Sequence, residues 1–403
     1  FQVSLYSTPP NQQDYDRVFR YTLPYEFDYI SWMADAALRK LDNFSIQPQR
    51  YLTEEQRHDL VIDYIDTVRE LQIKERMLQD VLAQPIGEID EQEEASVRAE
   101  IAVLDQQATW MAPIVEAILQ EQTAEIAAEM GLTFAGQPVP PPLFRTTPLP
   151  FALIVSPRDH IEQKKNISLH PDTSLDVRIT LEEQIYNDLG YSALVVPVGG
   201  VGTYPTMVAQ TTNLNWLAEV IAHEWIHNYL TLRPLGMNYL TSPELRTINE
   251  TVAGITGVEM GSALIERFYP EHVPPPPPPP STEKEDPEPV EPPQPPPFDF
   301  REEMFITRQQ TDALLAEGKI EEAEAYMEAR RLFFWENGYR LRKINQAYFA
   351  FYGAYAASPG GAAGEDPVGE AVRELRATSS SLAEFVNRIS WVTSFDAVLE
   401  LIP

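Results

Sequence analysis

Hydrophobic and polar positions alternate at helical spacing in the first third of the chain and predict a helical hairpin. Residues 53–132 are acidic and alanine-rich, and a break at residues 84–87 divides them into two long antiparallel helices. We favour a structural role for this hairpin over that of an arm that guards a cleft or docks a partner. The predicted inward stripes are Leu60, Ile62, Tyr64, Val68, Leu71, Ile73 and Leu78 on the first helix, and Ile101, Leu104, Met111, Ile114, Ile118 and Ile126 on the second.

Apolar runs in the middle of the chain predict a small sheet. Residues 193–198 are typical of a buried strand, and Pro197 places it at a sheet edge because proline cannot donate a ladder hydrogen bond. A glycine-rich segment, residues 199–208, comes next and is equally consistent with an ordinary hairpin. The elements predicted upstream are a proline-rich boundary at 139–150, a strand at 151–155, a strand or helix entry at 177–181 and a helix at 182–189.

Two helices follow the sheet. The first is capped by Asn213 or Asn215, carries apolar residues at helical spacing and ends near residues 233–236, where proline and glycine disfavour continuation. The second opens at a capping box formed by Thr241 and Glu244. Small residues follow on nearby faces, so we expect the two helices to pack closely.

The first of these helices carries a His-Glu-x-x-His motif, formed by His223, Glu224 and His227. Imidazoles four residues apart lie on one helix face and can hold one zinc ion, while the intervening glutamate can take a proton from a zinc-activated water. The alternative is a solvated pair of surface histidines. It is disfavoured because so apolar a helix is expected to be buried, where unpaired histidines are costly.

A third ligand is expected from the second helix. Glu250 lies two turns into it and is the preferred candidate, ahead of Glu244 and then Glu259. The alternative role for Glu250 is an i,i−4 ion pair with Arg246.

These residues resemble the gluzincin metallopeptidases, in which the third ligand is a glutamate, often within Asn-Glu, on a second helix. Asn249-Glu250 matches, and the resemblance spans roughly residues 190–265. It implies a peptide substrate that pairs with the edge strand, with close approach at the glycines. The lack of a glutamate there to hold a free amine weakens an exopeptidase interpretation. Gly254 stands where the family often has an aspartate, so support for the histidines must come from elsewhere, and Glu219, Asn228 and Thr251 are the candidates.

The C-terminal region predicts helices over residues 302–316, 320–336 and 341–356, with further helices over 382–401. In the third of these, Asn345, Tyr348, Tyr352 and Tyr355 share one face. A tyrosine hydroxyl can stabilise the oxyanion of peptide hydrolysis, so Tyr348 and Tyr352 are catalytic candidates, with Arg342 a lesser one. The alternative is core packing.

Composition restricts the classes of partner that the chain is expected to bind. The formal net charge of −31 argues against nucleic acid and anionic membranes as partners. There are no cysteines, so the chain has neither disulfides nor thiol chemistry. No segment is apolar enough to span a bilayer. Because the chain begins at Phe1, we expect an extracytoplasmic protein, or one anchored through a removed N-terminal segment; a cytoplasmic location is the alternative. The proline-rich residues 274–297 predict an extended spacer rather than a docking site. The oligomeric state stays open.

These patterns predict an α+β, predominantly helical chain and a zinc-dependent peptidase, with Glu224 as general base and a peptide or protein as substrate. The alternative is a non-catalytic metal-binding protein that interacts through the hairpin and the proline-rich tract. The predicted domains are an N-terminal helical region (1–138), a zinc-binding catalytic domain (139–272), a proline-rich linker (273–300) and a C-terminal helical domain (301–403).

Overall fold

The fold is α+β and predominantly helical, as predicted. A computed structural model describes residues 12–82, 91–275, 298–353 and 367–402. The spacer predicted at 274–297 therefore lies almost entirely outside the described residues. No helix within the described ranges combines the length and apolar character needed to cross a bilayer.

The predicted hairpin is formed by two long helices that pack against each other. Helices α1 (Gln12–Thr22) and α2 (Tyr29–Ile46) precede it, within the region predicted as helical (1–138), although neither helix was predicted individually. The hairpin consists of α3 (Glu54–Leu82) and α4 (Glu91–Glu129). Most of the predicted stripe is at least partly buried, but Ile73 is exposed, whereas Val61 and Ile65, which lie outside the predicted stripe, are buried.

Two small sheets follow the hairpin. The first has the strand order β3-β2-β4 and is antiparallel, so β4 lies at an edge, as Pro197 predicts. The second has the order β1-β6-β5. Helix α5 begins at a Ser174 cap, so residues 177–181 are helical, and β3 is an additional strand. The elements are β1 (Phe144–Thr146), β2 (Phe151–Ser156), β3 (Lys165–Leu169), α5 (Leu175–Leu189), β4 (Ser192–Pro197), β5 (Gly200–Val201) and β6 (Thr206–Val208).

The free edge of β4 is covered by side chains of the chain itself. The Val195 N–H donates to Glu182 Oε1 at 2.7 Å, and Arg342 donates to the Val195 carbonyl at 3.2 Å. Asn345 donates to the Ala193 carbonyl at 3.0 Å. Covering an edge in this way blocks pairing with another strand. A peptide therefore cannot add to β4 at Ala193 and Val195 while these contacts hold.

Helices α6 (Leu214–Thr231) and α8 (Pro243–Phe268) pack closely against each other and are joined through the short α7 (Pro234–Met237). Asn213 caps α6, as predicted, by accepting from the Trp216 N–H at 3.1 Å. The cap of α8 is Ser242, which accepts from the Leu245 N–H, so the predicted Thr241 capping box is wrong by one residue.

The C-terminal helices pack in two places. The first three are α9 (Phe300–Ala316), α10 (Ile320–Glu336) and α11 (Gln346–Tyr352); α11 packs on β2 and β4, in a core shared with α9 and α10. The last three, α12 (Pro367–Thr378), α13 (Leu382–Ile389) and α14 (Phe395–Leu399), pack on α8 and share its core. The helix predicted from residue 341 is wrong at its start: Asn345 caps α11, because residues 342–345 extend along the edge of β4.

Candidate metal centre

Three side chains from α6 and α8 converge on one point. The Nε2 atoms of His223 and His227 are 3.3 Å apart, and each lies 3.6 Å from Oε2 of Glu250. Tetrahedral zinc with ligand bonds of about 2.0–2.1 Å places its ligand atoms roughly 3.3–3.5 Å apart. The cluster can therefore hold a metal ion of this size.

One oxygen of the cluster lacks a hydrogen-bond partner. Oε2 of Glu250 is buried, and the imidazole nitrogens that face it at 3.6 Å are too far away for a hydrogen bond. A buried carboxylate oxygen without a donor is costly, and a cation at the centre of the cluster removes that cost. The residues present therefore fit a metal.

Neighbouring groups fix the direction of two ligands. Nδ1 of His227 donates to Oδ1 of Asn249 at 2.8 Å, which leaves the Nε2 lone pair directed at the cluster. The hydroxyl of Tyr239, in the connection between α7 and α8, donates to Oε1 of Glu250. Glu250 is thereby left with Oε2 as its free oxygen.

The supporting residues expected from the sequence make no hydrogen bond to the two histidines. Asn228 donates to the carbonyl of Thr203, and Thr251 donates to the carbonyl of Thr247 within its own helix. Glu219 lies half-buried beside His223 and makes no hydrogen bond or ion pair among the described residues. Asn249 and Tyr239 provide the support instead.

Opposite charges within the cluster shift two pKa values strongly. Burial disfavours the charged form of both groups, but the attraction between them is larger. At His227, the carboxylate of Glu250 outweighs burial and raises the pKa to about 9. At Glu250, the charge of His227 outweighs burial and holds the pKa of the carboxyl well below its usual range. Without a metal, the cluster therefore stabilises the protonated imidazole of His227 beside Glu250.

Glu224 lies outside the ligand set, and its carboxylate packs close to β5. A Cβ on Gly200 would lie 2.5 Å from Oε1 of Glu224, and one on Gly202 would lie 3.6 Å from Oε2. Burial raises the pKa of the Glu224 carboxyl, and the neighbouring histidines partly oppose that shift. The glycine at position 200 therefore makes room for Glu224; its predicted role was close approach of a substrate backbone.

The competing ligand candidates lie outside the cluster. Glu244 is exposed in the first turn of α8. Glu259 accepts two hydrogen bonds from Arg376, at 2.7 and 2.8 Å. The predicted alternative pair between Glu250 and Arg246 does not form, because one oxygen of Glu250 binds Tyr239 and the other faces the histidines.

Tyr348 and Tyr352 lie in a different environment. Tyr348 is only 5% exposed and packs in the core between α11 and the sheet, with its ring 4.6 Å from that of Tyr352. Among the described residues, no hydrogen bond or ring contact joins either tyrosine to the metal ligands. This packing favours the core alternative, and their catalytic role stays a prediction. Arg342 precedes α11 and pairs with the buried Glu182 at 2.6 and 2.9 Å. Tyr355 lies outside the described residues.

Comparisons with protein-family models, with curated proteins and with solved structures give no significant match to this chain. The function must therefore be inferred from the site itself.

Proposed function

We propose that the chain is a zinc-dependent metallopeptidase of gluzincin type that hydrolyses peptide bonds. One observation carries the proposal: a fourth titratable side chain, Glu224, is buried directly beside the two histidines yet stands outside the ligand set. A purely structural metal site has no need for such a carboxylate.

The donor set supports zinc as the metal. Two imidazole nitrogens and one carboxylate oxygen are a ligand combination typical of catalytic zinc, whereas structural sites are usually closed by four side chains. Among the described residues the cluster contains three side chains. A zinc ion held there would polarise the scissile carbonyl and lower the pKa of the attacking water.

The residues of the site have three roles: they bind the ion, orient its ligands and transfer the proton. His223, His227 and Glu250 hold the ion, while Asn249 and Tyr239 fix the orientation of His227 and Glu250. Glu224 takes a proton from the attacking water and then gives it to the leaving amine. Both transfers use the same carboxylate, which the packing against β5 holds in place.

Metal analysis combined with peptide digestion tests this proposal. The full chain should contain about one zinc per molecule and cleave members of a random peptide library detected by mass spectrometry. Cleavage should stop after removal of the metal by a chelator and return when zinc is added. Cleavage that persists without metal, or a zinc-loaded protein that cleaves nothing, would contradict the proposal and favour the non-catalytic binding protein.

A further inference from the structure

Arg246 is an exception among the arginines of this fold. Its side chain is half-buried and makes no hydrogen bond, ion pair or ring contact within the part of the chain that the structure describes. Every other half-buried arginine there has at least one such partner: Arg57, Arg145, Arg158, Arg178, Arg233, Arg308, Arg330, Arg331, Arg376 and Arg388. With 61 acidic residues in the chain, a half-buried arginine without any partner is unexpected.

The side chain of Arg246 is buried at Nε and accessible at its terminal nitrogens. Its Nε atom is buried without a partner, whereas its terminal nitrogens, which also lack partners, are not among the buried atoms. An arginine in this state presents a free pair of N–H donors to solvent. Such a planar fork matches the geometry of a carboxylate and binds it through two parallel hydrogen bonds.

Arg246 lies one helical turn before a residue of the candidate metal centre. It lies on α8, four residues before Glu250, and side chains at this spacing are neighbours on one helix face, with Cβ atoms about 5–6 Å apart. On the other side of Glu250, one turn further along, a Cβ on Gly254 would have no neighbour within 4 Å. The surface of α8 is therefore open at Gly254, one turn after Glu250.

We propose that Arg246 binds a carboxylate of the peptide substrate, close to the bond that is cut. The proposal rests on the proposed peptidase function for the identity of the ligand, but the carboxylate site itself does not require hydrolysis. The carboxylate is either the C-terminus of the peptide or an acidic side chain. Both have the same charge and geometry, so an experiment must separate them.

Competitive binding of matched peptides provides that experiment. The zinc-loaded full-length Glu224→Gln variant is immobilised, so that bound peptides stay intact, and is mixed with two acetylated random hexapeptide libraries of the same sequences. One library ends in a free carboxylate and the other in a carboxamide, and bound peptides are quantified by mass spectrometry. Free acids enriched about tenfold or more identify the C-terminus, and a similar excess of glutamate over glutamine in the amidated library identifies an acidic side chain.

Variants of Arg246 decide whether it is responsible. On the same background, Arg246→Gln should abolish the enrichment, and Arg246→Lys, which keeps the charge but loses the fork, should retain a reduced one. Arg376→Gln is the matched control. It breaks the ion pair between Arg376 and Glu259, which lies on the same helix as Arg246, and should lower thermal stability without changing the enrichment. Since Arg246 has no partner to lose, the thermal stability of Arg246→Gln should be nearly unchanged.

Equal recovery of charged and neutral peptides, recovery of neither, or enrichment that survives in Arg246→Gln would overturn the inference. The two proposals fail separately. If the unmodified chain hydrolyses nothing but the enrichment depends on Arg246, the peptidase proposal is wrong and the carboxylate site stands. If the unmodified chain hydrolyses peptides but the enrichment does not depend on Arg246, the peptidase proposal stands and the carboxylate site is wrong.

Discussion

At the scale of single residues, each buried metal ligand is held by one hydrogen bond. Asn249 fixes the ring of His227, and Tyr239 fixes one oxygen of Glu250. Ligands oriented in advance lose little conformational freedom when the ion binds, and removal of such supports typically weakens metal affinity about 10–100-fold.

Tyr239→Phe should therefore weaken zinc binding by about 10–100-fold without changing the stoichiometry, because only the hydroxyl that orients Glu250 is removed. Affinity is measured by titration against a competing chelator. Tyr186→Phe is the control, since the Tyr186 hydroxyl binds Glu324, which is not a metal ligand. Equal affinity of Tyr239→Phe and the unmodified chain would show that Glu250 is oriented by other contacts.

The identity of the third ligand leads to a second prediction. Glu250→Ala should reduce zinc affinity far more than Glu244→Ala, because the carboxylate of Glu250 is buried in the cluster and that of Glu244 is exposed in the first turn of α8. The same chelator titration separates the two variants. A larger loss in Glu244→Ala would move the ligand to that residue.

The three residues of the cluster were predicted from helical spacing and from the family resemblance. His223 and His227 are one turn apart, and Glu250 follows from the Asn-Glu pair on the next helix. Tyr239 could not be found in this way. It lies in the connection after α7, and no spacing rule relates a loop residue to a ligand eleven positions later.

At the scale of elements, the metal centre depends on the close contact of α6 and α8. A Cβ on Gly257 would lie 2.9 Å from the Glu219 carbonyl oxygen and 3.1 Å from the Cβ of His223. One on Gly261 would lie 2.8 Å from the Cα of Glu219. These two glycines thus set the distance between the helices, and with it the distance between the histidines and Glu250.

Gly257→Ala should accordingly lower the free energy of unfolding by up to about 2 kcal/mol, since overpacking costs about 1–3 kcal/mol and the better helix propensity of alanine offsets about 1. Gly254→Ala is matched to it on the same helix. It meets no atom within 4 Å and should raise the free energy of unfolding by up to about 1 kcal/mol. Urea unfolding of both measures the difference. Two changes of the same sign would contradict the packing described.

Elements with a clear sequence signal were predicted better than those without one. The hairpin, α6, α8 and the edge strand follow from hydrophobic period, caps and proline. Strand β3, only five residues long, carries Lys165 and Asn166 among its apolar residues and has no clear period. The early start predicted for α11 failed for another reason: tertiary contacts of Arg342 and Asn345 with Val195 and Ala193 override the local helical pattern.

At the scale of the whole molecule, the metal centre is built into the largest core. Helices α6 and α8, which carry the ligands, share that core with the hairpin and with α12–α14. Loss of the α6–α8 contact would open this core. Metal binding and global stability should therefore be coupled, since an ion that binds only the folded chain stabilises it.

Zinc should raise the thermal midpoint of the chelator-treated protein in a concentration-dependent manner. A free zinc concentration of about a hundred times the dissociation constant adds about 2.7 kcal/mol to the free energy of unfolding. The shift should be almost absent in Glu250→Ala, which serves as the control in the same scanning measurement. A midpoint that does not respond to zinc, or that responds equally in both proteins, would mean that the ion binds elsewhere.

The most direct test of the central claim is a paired measurement of zinc content and peptide hydrolysis in Glu224→Gln. Glutamine keeps the shape of the side chain but cannot accept the proton, and Glu224 lies outside the ligand set. We expect about one zinc per chain, as in the unmodified protein, and a fall in the hydrolysis rate of about a hundred- to ten-thousandfold. A variant that hydrolyses peptides at the full rate, or one that loses its zinc, would contradict the assignment of Glu224 as the general base beside an intact metal centre.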